Sequence, residues 1–192
     1  ELVFRFLDNN DTGERFVTKH GRGLHRAASA LLFTLPGIPS VFTGQEVAAQ
    51  YEPYQREEPL SFEGSSETFS HFAQLARLRS ASPALRQGVF IPLEVEPRDR
   101  AFAYLRVAEP GGDSVLVVIN FGEAPLRARL NLDGPAGEIL GPRPTDLLDA
   151  GPAPAFVGRT IEISLGAWGA RVLASARPVA GTTPPHALAG AR

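Results

Sequence analysis

The sequence predicts an α/β unit followed by an all-β unit, and two observations carry that reading. Up to about residue 87, short apolar runs alternate with longer segments of helical periodicity, the strand–helix–strand–helix grammar of parallel α/β structure. From residue 88 onward, short strand-like runs recur between Gly/Pro turns, as they do in an antiparallel sandwich. Composition agrees with both, since 192 residues at 43% hydrophobic and 21% charged make a globular chain able to bury a sizeable core.

The first apolar run, Leu2 to Leu7, contains one Arg and ends at the polar cluster Asp8, Asn9, Asn10 and Asp11. It reads as a buried strand whose C-terminal end opens into a loop. From Leu24 to Leu35 the residues Leu24, Ala27, Ala28, Leu31, Leu32 and Leu35 recur at spacings of three and four, which predicts a helix stopped by Pro36 and Gly37. Ile38 to Phe42 is a second short strand-like run, delivering Thr43, Gly44, Gln45 and Glu46 at its end. Residues 48–64 are polar and Pro-bearing, hence loop. Ser65 or Ser66 can cap a helix from Glu67 to about Ser80, with Phe69, Phe72, Leu75, Ala76 and Leu78 on or beside one face. Pro83 and Gly88 close this part of the chain.

Strand-like runs then follow at Val89–Val95, Ala101–Val107, Ser114–Phe121 and Leu126–Leu132, and again at Thr145–Leu148, Thr160–Leu165 and Ala170–Ala174. Thr160 to Leu165 alternates polar with apolar, the signature of a half-buried strand. The expected organisation is therefore residues 1–87, residues 88–175 as the sandwich, and residues 176–192 as a disordered tail of Pro, Ala, Gly and Thr with little to bury. Residues 88–175 should unfold as one cooperative unit, and residues 1–86 should be unstable by themselves.

Charge narrows the function classes. Lys plus Arg is 19 against Asp plus Glu 21, so the net charge is -2 and the chain carries no electrostatic footprint for nucleic acid or an anionic membrane. No apolar run approaches the roughly 20 residues of a membrane helix. The absence of Cys excludes disulfides and Cys-ligated metals. The sequence holds no Met and begins inside a strand-like run, so it reads as a segment of a longer protein.

The densest polar constellation is Asp8 to Asp11. In a parallel α/β barrel, catalytic groups sit at the C-terminal ends of strands, but Asn and Asp are also the usual residues of turns and helix caps. Gln45 and Glu46 carry the same two readings. His20, His25, His71 and His186 make no metal-ligand spacing, and His25 and His71 read as helix-surface or core-edge residues. Gly21-Arg22-Gly23 lacks a nucleotide-loop pattern. Arg77, Arg79 and Arg86 read as a solvated helix face, and Trp168 as a packing aromatic with sugar stacking as the alternative.

The order of these motifs resembles the C-terminal part of an enzyme of the α-amylase superfamily, glycoside hydrolase family thirteen. Phe6 to Asp11 resembles that family's fourth conserved region, F-x-x-N-H-D. Leu31 to Glu46 is similar to its L-L-x-x-P-G-x-P-x-x-Y-x-G-x-E region at the eighth barrel strand. Leu75 to Arg79, with Pro83 to Arg86 and Gly88, resembles its last barrel helix, and Val115 to Phe121 with Thr160 to Leu173 its C-terminal β-sandwich. The resemblance implies the last two strand–helix units of a (β/α)8 barrel followed by an antiparallel β-sandwich. A whole barrel takes about 250 residues, and Leu2 to Ser80 is too little to close one.

By that resemblance the function is retaining hydrolysis of α-linked glucans or oligosaccharides. The alternatives are a transglycosylase of the same superfamily and a non-catalytic sugar-binding or scaffold module. Asp11 matches the family's third carboxylate, which binds ring hydroxyls and stabilises the transition state, and Asn9 and Asn10 fall among the substrate-binding positions. The nucleophile and the general acid belong to earlier strands, so this segment alone is expected to be inactive. Two residues depart from the pattern: Asn10 stands where the family has His, and Glu14 where an Arg is common, with Arg15 one further. No cofactor is expected in this segment, since the family's calcium sites are usually built upstream, and no nucleic-acid or membrane partner is expected.

Overall fold

The computed structural model describes residues 3–50, 59–62, 66–108, 112–132, 135–140, 143–149, 151 and 154–175. The predicted tail at 176–192, His186 and Ser65 lie outside the described residues.

Strand β1 (Phe4–Arg5) leads to helix α1 (Phe16–Thr34), which turns into strand β2 (Ile38–Pro39). The two strands pair in parallel, Phe4 with Ile38 and Arg5 with Pro39. Both are shorter than their apolar runs predict. Helix α1 is longer, because a further helical segment, residues 16–20, joins the predicted one across a kink at Gly21 (φ 78°), and that segment lacks the apolar stripe that marks the rest. A left-handed φ of this kind suits glycine, which has no Cβ to collide with the backbone. A short 3₁₀ turn, Gln45–Val47, precedes helix α2 (Ser66–Ala81). Phe72 and Leu75 of α2 are buried, whereas Phe69 and Ala76 are exposed.

Pro83 begins helix α3 (Pro83–Gln87) instead of ending a region. Proline is well suited to a first helical position, where its missing N–H is not needed. The Ser82 hydroxyl accepts from Leu85 N (3.2 Å), and Asp113 accepts from Ala84 N (3.0 Å) and from the Ser82 hydroxyl, so the helix start is tied to the sheet that follows.

Strands β3 (Val89–Leu93), β4 (Ala101–Val107), β5 (Ser114–Asn120) and β6 (Leu126–Asn131) come next. After them run α4 (Pro135–Leu140), β7 (Thr145–Asp146), β8 (Ala155–Val157), β9 (Thr160–Leu165) and β10 (Ala170–Ala174). They form a five-stranded sheet, β3-β4-β5-β10-β7, and a three-stranded sheet, β6-β9-β8, with antiparallel pairing throughout.

The burial of single strands explains the layering. Every residue of β5 is buried. Leu116 and Val118 point into one core with Ala128, Leu130, Ile161 and Ile163 of the smaller sheet. Val115, Val117 and Ile119 point into a second core with Ala27, Ala30 and Phe33 of α1, Phe72 and Leu75 of α2, and Leu85 of α3. A continuous apolar run is what a strand covered on both faces requires. Strand β6 instead alternates buried and exposed, and Arg129 on its outer face donates to Glu162 of the paired β9 position (2.9 Å). The order of layers is thus helices, five-stranded sheet, three-stranded sheet.

Two buried arginines fasten the helices to the central sheet. Arg79 donates to the carbonyls of Phe33 (2.7 Å), Leu35 (3.0 Å) and Gly37 (2.5 Å). Arg106 of β4 donates to those of Thr34 (2.7 Å) and Gly88 (2.9 Å). The last carbonyls of a helix lack intrahelical partners and carry the negative end of its dipole, so two cations there satisfy both needs. Arg79 is therefore not part of a solvated face as its spacing suggests, while Arg77 and Arg86 are exposed. Burial pulls the Arg106 guanidinium down to about 10, with Arg79 acting in the same sense and Tyr104 opposing. Tyr104, whose hydroxyl meets that of Thr34 at 2.5 Å, is pushed up by burial and stays a neutral phenol.

Candidate active site

Because β1 and β2 are parallel, the polar residues that follow each leave at the same end. Arg15 joins the two exits: its Nη2 donates to Thr43 O (2.7 Å), and its guanidinium sits 4.5 Å from the centre of the Phe42 ring. Arg15 is 1% exposed and spans from the β1–α1 loop to the segment after β2.

The Asp8–Asp11 cluster divides by depth. Asp8 is 2% exposed, and its Oδ1 accepts the N–H of Phe16, the first residue of α1, at 2.6 Å. It thereby caps a helix start whose preceding residue, Arg15, offers no side-chain cap. Asn9 closes an Asx turn, its Oδ1 accepting from Asp11 N at 2.9 Å, while Thr12 Oγ1 donates to Asn9 O at 2.9 Å. Asn10 and Asp11 stand exposed at the tip, with Asn10 Nδ2 donating to Asp11 Oδ1 at 3.0 Å. The turn reading and the functional reading thus apply to different residues of one loop. Asp8 and Asn9 use their side-chain oxygens to accept backbone N–H groups, and that work presents the Asp11 carboxylate to solvent.

Gln45, 2% exposed, receives Phe42 N on its Oε1 (3.3 Å) and so serves the loop after β2, while Glu46 is half-buried beside it. His25 and His71, expected at the surface or core edge, are 2% and 7% exposed. Their low exposure follows from packing around Phe72, which His25 stacks on at 5.5 Å and His71 meets edge-on at 6.5 Å. Burial lowers both to about 4: for His25, Asp8 opposes the shift and Arg22 adds to it, and for His71, Arg26 adds to it. Residue type did not single out His25, because a histidine in a helix can lie on either face. Its spacing of about one turn from Ala28 and two from Leu32, both on the buried stripe, was the available signal. Among the described residues no group of His, Cys, Asp and Glu lies together as a metal site would require, and no helix is long and apolar enough to cross a membrane.

The chain is 37% identical over 138 residues to the α-amylase MalA of Haloarcula japonica, a match covering 69% of this chain and 19% of that protein. It is 33% identical over 147 residues to a cyclomaltodextrinase of Bacillus sp (73% and 26%), and 34% identical over 132 residues to a cyclomaltodextrin glucanotransferase of Klebsiella oxytoca (60% and 19%). Over the stretch they share, this chain belongs to the α-amylase superfamily. No protein-family model matches it.

Solved structures of the superfamily have the same fold. An Anoxybacillus α-amylase superposes with a TM-score of 0.77 at 24% identity, covering 94% of this chain and 39% of that one. The Geobacillus thermoleovorans α-amylase, solved in complex with acarbose, superposes at 0.74 and 22%, covering 90% and 38%. The α-amylase superfamily segment described here thus spans only 19% to 26% of those curated relatives.

Proposed function

We propose that the chain is the C-terminal segment of a retaining glycoside hydrolase of α-amylase type that acts on α-linked glucans or oligosaccharides. On this reading residues 1–87 are the last two strand–helix units of its (β/α)8 barrel, with β1 and β2 as neighbouring barrel strands. Residues 88–175 are its C-terminal β-sandwich domain. The observation that carries the proposal is the Asp11 carboxylate, exposed at the common end of two parallel strands on a turn braced by Asn9 and Asp8. Catalytic groups of parallel α/β barrels occupy that end.

The chemistry assigned to Asp11 is electrostatic. A carboxylate that accepts hydrogen bonds from two sugar hydroxyls binds more tightly as the ring gains positive charge on the way to an oxocarbenium ion, so its effect falls on the transition state. Asn10 holds the carboxylate through its amide and, in place of a histidine, offers a neutral donor to a nearby hydroxyl. Asn9 contributes by fixing the turn. The glucan-active names of the relatives and the acarbose held by one structural neighbour support the substrate class.

In the intact protein, Asp11→Asn should lower kcat by about a hundredfold or more while changing KM much less, since the amide keeps the shape and loses the charge. Near-normal turnover would leave Asp11 as a turn residue. The 192-residue chain by itself should release no reducing sugar from starch, because nucleophile and general acid are expected from other strands. Release above a buffer blank would overturn that part.

A further inference from the structure

A cleft of about 320 Å³ runs between helices α1 and α2 and the turn joining β9 to β10. Its size falls in the range of small-ligand sites, and no residue of the Asn9–Asp11 turn lines it. Trp168 lines it together with Arg26, His71, Gln74 and Asp149.

The backbone of this cleft is held in an uncommon shape. Among the described residues, three non-glycine residues adopt left-handed φ, and two of them, Asp149 (49°) and Trp168 (53°), line it. Such conformations cost about 1–3 kcal/mol each and gather at ligand clamps. The Trp168 backbone N–H donates to Gly122 O (2.9 Å), and the indole lies so close on Gly23 that a Cβ there would collide with the ring. The indole is thus preorganised, which reduces the ordering a ligand must impose.

The charges around it are already matched. Arg26 pairs with Glu67 (3.4 Å), and the buried Arg171 pairs with Asp146 (2.7 Å). His71 is held neutral by burial. What lines the opening is the half-buried Trp168, which also packs against the core shared by the helices, the Gln74 side chain, whose amide N–H donates to Leu148 O (3.3 Å), and the exposed Asp149 carboxylate. An anion finds no free cation here and meets a carboxylate. A pyranose, by contrast, has an apolar C–H face to lay on an indole and hydroxyls to donate to carboxylate and amide oxygens.

We propose that this cleft is a second sugar site, binding a short neutral oligosaccharide through Trp168, Gln74 and Asp149. It does not rest on a catalytic role for Asp11. Trp168 is the one tryptophan of the chain, so its emission reports on the cleft directly. Titrating the 192-residue chain with maltotriose should give a saturable change in emission, and inorganic phosphate should give none. Asp149→Asn, at the rim, should weaken binding about tenfold with the unfolding midpoint unchanged, and Gln74→Ala, which also loses its bond to Leu148 O, about tenfold with a small drop in that midpoint. Asp11→Asn should leave the titration as it was. The proposal falls if maltotriose leaves the emission unaltered, if both rim variants bind as well as the parent, if binding disappears with Asp11→Asn alone, or if phosphate produces the same change. Trp168→Phe, followed by calorimetry, checks the stacking partner independently and should retain weakened binding. Failure here with a low kcat for Asp11→Asn in the intact protein would leave the catalytic reading standing.

Discussion

The two ends of the chain bury their strands differently. Around β1 and β2, Val3, Phe4, Phe6 and Val41 are 40% exposed or more, and the two-residue strands have only each other to pair with among the described residues. In the five-stranded sheet, β5 has no exposed residue, with one face against the smaller sheet and the other against α1, α2 and α3. The boundary between them does not follow the chain. Helices α1 and α2, which precede residue 88, share a core with the sheet that follows it. Within the whole chain the helices should therefore unfold with the sheet, and β1 with its loop should open first.

The strongest way to break this comparison is to remove atoms from each end. Leu116→Ala, at a fully buried position between the two sheets, should cost about 3–4 kcal/mol in urea unfolding. Phe4→Ser, at a side chain 67% exposed, should change stability by no more than about 0.5 kcal/mol. Equal losses would mean that β1 is as well packed as β5. Next in size is Arg106→Met, which leaves the carbonyls of Thr34 and Gly88 without their donor and should cost roughly 2–3 kcal/mol. If α1 is fastened through its C-terminal carbonyls, hydrogen exchange in its last turn should rise more than in β6. A uniform rise would argue against that fastening.

The same contrast decides what was legible in the sequence. Strands β4, β9 and β10 have their predicted bounds because each is set by neighbours within the chain, and burial on one or two faces is written as alternation or as a continuous apolar run. Strands β1 and β2 came out short, because their apolar runs are not matched by partners among the described residues. The roles of Arg79 and Arg106 were hidden, since capping a helix with a cation from another element depends on tertiary approach and leaves no local period. In the candidate site, the polar cluster at the end of the first apolar run spans all four residues of Asp8–Asp11, and the family motif marks Asn9, Asn10 and Asp11. Residue type alone does not separate Asp8 from Asp11; the resemblance singled out Asp11, and the structure adds that Asp8 is a buried helix cap while Asp11 is exposed.

Acid should act at the seam between the regions. His25 and His71 are held near 4 by burial, against an ordinary value of 6.5. Above pH 6.5 both folded and unfolded chains carry neutral imidazoles, and nothing is lost. As pH falls from 6.5 toward 4, the unfolded chain takes up protons that the folded chain refuses, so stability declines through that window. His25→Phe keeps the ring on Phe72 and removes the titration, and should lessen the decline by roughly 2 kcal/mol between pH 7 and pH 4. The measurement is the urea midpoint of both proteins at several pH values, and parallel profiles would show that His25 titrates normally.

The smallest expected effect sharpens the comparison most. Asp11 is exposed, and what it receives is a hydrogen bond from the neighbouring Asn10 amide. Asp11→Asn should therefore alter the stability of the chain by less than about 0.5 kcal/mol, as exposed substitutions do. Asp8→Asn, one buried step away, replaces the carboxylate that caps α1 with a neutral amide and should cost about 1 kcal/mol. The pair separates two uses of the same side chain on one loop: Asp8 acts through the fold, and Asp11 through what it presents to solvent. A stability loss at Asp11 as large as that at Asp8 would mean that its carboxylate also holds the turn. Any drop in kcat of the intact protein would then have to be corrected for a displaced loop before it is assigned to charge.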